Sequence, residues 1–258
     1  MKRVLTALAL VPLASYAILW APDWLFLIVT VLVAVACFSE FSAIVAAHGF
    51  ARPGLAGYAA GLMLLVYPRS DALLVTLITV LALSLALRSD PLSCGLPAAA
   101  AFILGVAYIF GPWRSALALR AASPYWLFLA LGLNWVGDTV AYYVGRAIGR
   151  HRLAPRLSPS KSWEGSAASL AAAMTFGFLW LGWLIPDVPP ALRLAISAAG
   201  NVAGQIGDLA ESLLKRGAGM KDSSNRLPGH GGWLDRLDGS LFTLPVIHFT
   251  LILLGRVA

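Results

Sequence analysis

Long apolar runs, broken by short polar stretches, fill most of this chain. They fall at Val4–Trp20, Trp24–Ala47, Leu55–Tyr67, Ala72–Leu87, Pro97–Trp113, Tyr125–Gly145, Ser166–Ile185, Ala191–Leu214 and Leu241–Leu254. A helix rises about 1.5 Å per residue, so about 20 apolar residues cross the roughly 30 Å hydrocarbon core of a bilayer. The runs predict an all-α, polytopic integral membrane protein with about nine transmembrane helices. The third run is short and reads as tilted or re-entrant. Polar positions collect instead in two longer loops, Arg146–Gly165 and Lys215–Gly239.

Composition agrees with the pattern. With 59% hydrophobic and 12% charged residues and a mean hydropathy of +0.80, a soluble fold of 258 residues is excluded. Lys and Arg accumulate in cytoplasmic loops, and an odd number of helices puts the termini on opposite sides. With a cytoplasmic N-terminus, 14 of the 19 Lys and Arg lie inside, and Arg69, Arg114, Arg120, Arg193 and Arg256 lie outside. Both polar loops then face the cytoplasm, where they can build one site. Lys2 and Arg3, followed by Ala14, Ser15 and Ala17, look like a signal peptide, but the parity of the helices counts this segment as a retained span. Neither a repeat nor a low-complexity linker interrupts the chain. Residues 1–258 read as a single membrane domain, with 1–120 mainly scaffold and 121–258 carrying the chemistry.

The net charge of +7 is explained by anionic lipid headgroups beside the spans rather than by nucleic acid. Cys37 and Cys94 both sit in or next to apolar helices, which supports neither a disulfide framework nor a cysteine metal site. In the first half only Glu40 and His48 stand out chemically. An oligomer, if formed, is by default a symmetric homodimer.

The candidate chemistry lies in the second half. Asp208, Glu211, Ser212 and Lys215 recur at i, i+3, i+4 and i+7, so they share one face of a helix that should turn inward. A Glu211–Lys215 pair closing the helix is the plain alternative. Asp235 and Asp238 are three apart and project on one side if the last helix begins there, whether as helix caps or as cation ligands. Together with Asp208 they favour a Mg²⁺ site, because Mg²⁺ takes one or two carboxylates and fills its other positions with water and phosphate oxygens. His230 sits among Gly229, Gly231 and Gly232, which permit positive φ and a close approach of the backbone to a ligand. In the other loop, Ser158, Ser160 and Ser162 surround Lys161 just before an apolar span, a set suited to a phosphate. Asp138 precedes Arg146, Arg150 and Arg152, which suit lipid headgroups at least as well as a substrate.

Ser212 through Asp238 fits a long pattern, S-x-x-K-R-x4-K-D-x-[GSA]-x2-[LIF]-P-x-H-G-G-x-x-D-R-x-D. In this the chain resembles the phosphatidate cytidylyltransferases, also called CDP-diacylglycerol synthases. The similarity extends to GDTVAYYVGRAIGR (Gly137–Arg150), SPSKSWEG (Ser158–Gly165) and GQIGDLAES (Gly204–Ser212). Ser224 stands where that family commonly has Gly, and Trp233 where an aliphatic residue is usual. The resemblance implies that a phosphate oxygen of phosphatidic acid attacks the α-phosphorus of CTP, releasing pyrophosphate, with Mg²⁺ as cofactor. It implies a catalytic set of Asp208, Lys215, Asp235 and Asp238, with Asp208 and Asp235 as metal ligands and Asp238 a weaker third. Substrate binding would then fall to Ser160, Lys161, Ser162, Ser212, Arg216, Lys221, Asp222, His230, Gly231, Gly232 and Arg236. Lys215 together with Arg216, Lys221 and His230 would hold CTP phosphates and the departing pyrophosphate, and Ser160, Lys161 and Ser162 would anchor phosphatidate or a triphosphate oxygen. The implied location is the inner cell membrane. A CDP-alcohol phosphotransferase lacks support, since its D-G-x2-A-R…G-x3-D-x3-D pattern is absent. A transporter for an anionic metabolite draws on Asp138 and Asp208 within the spans, but the chain has no internal repeat.

Overall fold

A computed structural model describes residues 2–67, 72–227, 229 and 231–256, with side chains from residue 11 onward. Each of the nine apolar runs coincides with a helical stretch. The helices are α1 (Lys2–Leu19), α2 (Asp23–Ala47), α3 (Gly54–Val66), α4 (Ala72–Ala86), α5 (Gly95–Gly105), α6 (Gly111–Ala122), α7 (Pro124–Ile148), α8 (Trp163–Leu184), α9 (Pro190–Gly217) and α10 (Leu234–Leu253). A 3₁₀ turn precedes α5, and a π-helical turn over Val106–Phe110 joins it to α6. Among the described residues, five stretches are long and apolar enough to cross a membrane: Asp23–Ala47, Leu92–Ala122, Pro124–Ile148, Trp163–Leu184 and Leu234–Leu253. Outward-facing Leu32, Leu73, Val80, Leu179 and Trp183 remain exposed, as a lipid-facing surface requires. This is a nearly all-α, multi-pass membrane protein.

Three boundaries depart from the hydropathy reading. The run ending at Trp113 continues as helix to Ala122, because Arg114 and Arg120 are spent on backbone carbonyls instead of breaking the helix. The last helix starts at Leu234 instead of Leu241, since Asp235, Arg236 and Asp238 lie in its first turns. The segment Arg146–Gly165 is not a plain loop but contains a hairpin, β1 (Arg152–Ala154) and β2 (Ser158–Ser162), paired antiparallel with Arg152 opposite Ser162.

The described residues divide into two compact units. The first comprises residues 1–6, 23–114 and 214–236. Its core is aromatic. Phe38 packs edge-on against Tyr58 at 4.8 Å and at a tilt against Phe110 at 5.2 Å, and Phe41 meets Tyr108 at 6.2 Å. Gly57, Gly61 and Gly105 leave room for these rings, since a Cβ at Gly61 would lie 2.1 Å from Phe110 and one at Gly105 2.5 Å from Phe41. Burial of Phe38 and Phe41 fixes the rotation of α2 about its axis, and with it the side chain of Glu40 between them.

The second unit comprises residues 7–22, 115–213 and 237–258. Here α7 and α8 lie close along a seam of small residues. A Cβ on Gly137 would meet Asn201 and Ser169 at 2.6 Å, and one on Gly165 would meet the Ala141 carbonyl at 2.9 Å. Small residues four apart let membrane helices approach this closely. A buried polar knot joins α7, α9 and α10: the Asn134 amide donates to Thr243 Oγ1 at 3.1 Å, and the Thr243 hydroxyl reaches the Gly200 carbonyl at 2.9 Å.

The arginines assigned to the outer side have structural work. Arg114 donates to the Leu64 carbonyl near the end of α3, Arg120 to the Ile18 and Ala21 carbonyls at the end of α1, and Arg193 to Val188 and Pro186. Guanidinium groups at helix C-termini satisfy carbonyls that have no helical partner and oppose the dipole. Arg256 pairs with Asp187 at 2.5 Å, which holds the Asp187 carboxyl below its ordinary range. Arg69 lies outside the described residues.

Gly204 packs against the polar knot, where an added Cβ would sit 2.0 Å from Asn134 Oδ1 and 2.9 Å from Thr243 Oγ1. Gly204→Ala should therefore destabilise the protein by about 1–3 kcal/mol through overpacking, read as a lower unfolding temperature in detergent. Ala at Gly111, where an added Cβ would meet nothing within 4 Å, is the control.

Candidate active site

In the first unit the polar segment after α9 folds around two carboxylates. The stripe expected on α9 does turn inward: Glu211 is fully buried, Ser212 and Lys215 are buried, and Asp208 is half-buried. Lys215 Nζ reaches Asp235 Oδ1 at 2.5 Å, with both side chains under a tenth exposed. Asp235 also accepts from the Ser223 amide (2.9 Å), the Ser223 hydroxyl (2.9 Å) and the Gly232 amide (2.7 Å). So many donors are what a buried carboxylate needs to remain ionised.

Glu40 is the second carboxylate, contributed by α2 and 2% exposed. It accepts from the Ser224 hydroxyl at 2.7 Å, the Ser223 hydroxyl at 2.9 Å, the Trp233 amide at 3.1 Å and the Leu234 amide at 2.8 Å. The last two are N–H groups at the start of α10, so the cap of that helix comes from a distant side chain. His48, just beyond α2, lies 2.9 Å from the Leu214 carbonyl, and the backbone of Gly217 packs on its ring. Glu40 and His48, the two chemical groups of the first half, thus hold the two edges of the polar segment. Sequence reasoning left both in the scaffold, because nothing in their local spacing links them to residues more than 160 positions away.

Gly231 and Gly232 are required by this arrangement. Gly231 has φ +77°, and a Cβ there would lie 2.5 Å from Asp235 Oδ2. At Gly232 it would lie 2.1 Å from Ser223 Oγ and 2.3 Å from Glu40 Oε2. The close backbone approach predicted from these glycines is made to carboxylates. Arg216 donates to the Met220 carbonyl at 3.0 Å, whereas Lys221, Asp222 and Arg236 are exposed. His230 lies outside the described residues.

The second unit holds a cavity of about 560 Å³. Asp138, Tyr142 and Arg146 of α7, Arg152 of β1, Ser160, Lys161 and Ser162 of β2, Ser166 and Ser169 of α8, and Gln205 and Asp208 of α9 line it. The hairpin places these β-strand groups. Ser162 caps α8 by accepting from the Gly165 amide at 3.1 Å, and Glu164 takes the His151 ring at 2.7 Å, which ties the hairpin to the helix start. Lys161 pairs with Asp208, and Ser212 Oγ lies 3.5 Å from Asp208 Oδ1. Arg146 is steadied by the Tyr142 hydroxyl at 3.1 Å. The cavity floor is a hydrogen-bonded row in which Asn201 donates to Ser169 at 3.1 Å and Gln205 to Asn201 at 2.7 Å.

Asp238, also in the second unit, lies within electrostatic reach of Asp208, Glu211 and Asp138. Its Oδ1 accepts the Gly239 amide at 2.7 Å. The approach depends on Gly207, whose missing side chain lets the Asp238 carbonyl come to 2.7 Å from where a Cβ would stand. These carboxyls repel the charge of Asp238, a repulsion that a proton or a cation such as Mg²⁺ would relieve. Among the described residues no three His, Cys, Asp or Glu side chains are arranged to hold a metal ion. The fit is to an ion that takes one or two carboxylates and completes its shell with water and phosphate oxygens.

The fold is that of a multi-pass membrane protein, with carboxylates and cations clustered in each unit. Residues 1–254 match the cytidylyltransferase family. A phosphatidate cytidylyltransferase of Brucella melitensis biotype 1 is 33% identical over 250 residues, covering 92% of this chain and 87% of that relative. The chain belongs to the cytidylyltransferase family. Phosphatidate cytidylyltransferases of Bacillus subtilis (41% identity over 128 residues) and Haemophilus influenzae (38% over 157) align with 50% and 58% of this chain. In those two alignments the chain spans about half the relatives' length, 48% and 54%.

Breaking the Lys215–Asp235 pair by Lys215→Met should cost about 3–5 kcal/mol, because Asp235 stays buried without its cation. Lys215→Met combined with Asp235→Leu should recover much of that loss. Denaturation midpoints of the wild type, both single variants and the double variant check the coupling.

Proposed function

We propose that this protein transfers the cytidylyl group of CTP to phosphatidate, forming CDP-diacylglycerol and pyrophosphate at the cytoplasmic face of the cell membrane. The observation that carries this reading is the cavity bounded by Arg146, Arg152, Lys161 and Asp208. Its volume lies within the roughly 300–1,000 Å³ typical of small-ligand sites, and its cations suit phosphate groups. The names of the relatives point the same way.

In the reaction an anionic phosphate oxygen of phosphatidate bonds to the α-phosphorus of CTP. The bond from that phosphorus to the bridging oxygen breaks, and its electron pair leaves with pyrophosphate. The attacking oxygen is already ionised, so the chain's task is to neutralise repulsion and align two anions. Lys161, Ser160 and Ser162 anchor a phosphate in the cavity. Lys215, Arg216, Lys221 and His230 hold the triphosphate and the departing pyrophosphate, and Ser212, Asp222, Gly231, Gly232 and Arg236 shape their surroundings. Asp208 and Asp235, with Asp238 as a weaker third, would hold Mg²⁺, which when bound draws charge from the phosphate oxygens. We place the N-terminus in the cytoplasm, with nine helices crossing or entering the bilayer and both polar segments on the inner side.

Asp208→Asn and Asp235→Asn should each lower the transfer of labelled CTP into lipid by about 100-fold or more while leaving membrane insertion intact. Substantial remaining turnover would remove that residue from the proposed metal site. For topology, single cysteines at Ser160 and Lys221 in a chain lacking Cys37 and Cys94 should react with an impermeant maleimide in inside-out vesicles only. Labelling in right-side-out vesicles would reverse the orientation.

A further inference from the structure

Glu40 is the one acidic side chain of α2 that is buried, in a helix that otherwise presents apolar surface. Burying a carboxylate is costly unless several donors meet it. Here four groups do so, and all belong to the short segment Ser223–Leu234. Ser223 bridges the two acids, its hydroxyl 2.9 Å from both Glu40 Oε2 and Asp235 Oδ2. A hydroxyl has a single hydrogen, so Glu40 and Asp235 share it. Ser224, which stands where the family pattern commonly has Gly, adds its own bond to Glu40 at 2.7 Å. The missing side chain of Gly232 lets the segment close over both carboxylates.

We propose that Glu40 is a positioning residue: from α2 it clamps the Ser223–Leu234 segment and the first N–H groups of α10, so that Asp235 is presented to Lys215. It does not touch the reacting atoms and acts through Asp235 and Lys215. This inference rests on the proposed cytidylyl transfer only for its catalytic consequence, since the clamp itself is a property of the fold. Side chains that orient ligating or substrate-binding residues typically change activity by about 10–100-fold when removed.

The test compares Glu40→Gln and Glu40→Asp with the wild type as purified full-length protein in detergent. Gln keeps the shape but turns an N–H₂ toward backbone donors, while Asp keeps the charge but falls a methylene short. Amide hydrogen exchange reads the clamp without any substrate. Peptides covering 223–234 should exchange at least about tenfold faster in Glu40→Gln, with peptides from the hairpin at 152–162 unchanged. With CTP and phosphatidate, kcat should fall about tenfold or more and KM for CTP should rise, while KM for phosphatidate stays within about twofold. Glu40→Asp should fall between the two. Unchanged exchange in 223–234 overturns the proposal whatever the activity, and so does faster exchange with unchanged kcat in an enzyme whose wild type is active. A wild type that transfers no label from CTP overturns the proposed function alone. The clamp then stands if exchange quickens and falls if it does not.

Discussion

Ionised groups near apolar helices persist only where opposite charges or dipoles meet them, and this constraint shapes the whole polar segment between α9 and α10. Asp235 is met by a lysine, two amides and a hydroxyl, and Glu40 by two hydroxyls and two amides. Each acid therefore dictates a backbone path as well as a contact. The chain must turn at Gly231 with φ +77° and pass Gly232 without a side chain for the amides to arrive. The residues that look available for a ligand and those that hold the fold are the same residues, which is why so many glycines and hydroxyls crowd one short stretch.

The second unit solves a related problem by bringing helices close. Gly137, Gly165, Gly204 and Gly207 remove bulk where α7 meets α8 and where α9 meets α10. Close packing by small residues substitutes for the hydrophobic drive that lipid surroundings withhold. The same closeness sets Asp238 among Asp208, Glu211 and Asp138. Helix packing thus produces a local concentration of acidic groups.

Much of this was legible in the sequence because membrane helices announce themselves by apolar length. All nine runs fell on helices, though among the described residues only five stretches are long and apolar enough to span, and the inward face Asp208–Glu211–Ser212–Lys215 followed from helical periodicity alone. Boundaries were lost wherever charge and helix coincide. Hydropathy put Asp235, Arg236 and Asp238 in the loop, although the three-residue spacing of the two acids also suited a helix start, and they do begin α10; Arg114 and Arg120 read as breaks although they bond carbonyls near the ends of other helices. The hairpin was missed because four polar residues and Pro159 make up Ser158–Ser162, which gives strand pairing no apolar alternation to display. Glu40 was seen but not placed. Its partners lie more than 180 positions away, and hydropathy carries no information about which buried carboxylate meets which backbone amide.

The arginine partners sharpen the electrostatic argument. Arg114, Arg120 and Arg193 are spent on carbonyls and Arg256 on Asp187, so their positive charge is already matched by local dipoles or by a carboxylate. Arg146, Arg152 and Lys161 instead border a cavity of about 560 Å³. Lys161 meets Asp208 there, and Asp138 lines the same cavity, so two acidic charges stand against three basic ones. The excess is positive, and cations converging on a partly enclosed space repel one another until an anion enters. The sequence count of positive charges treats all nineteen alike, whereas the fold separates those spent on carbonyls and a carboxylate from those that border a cavity.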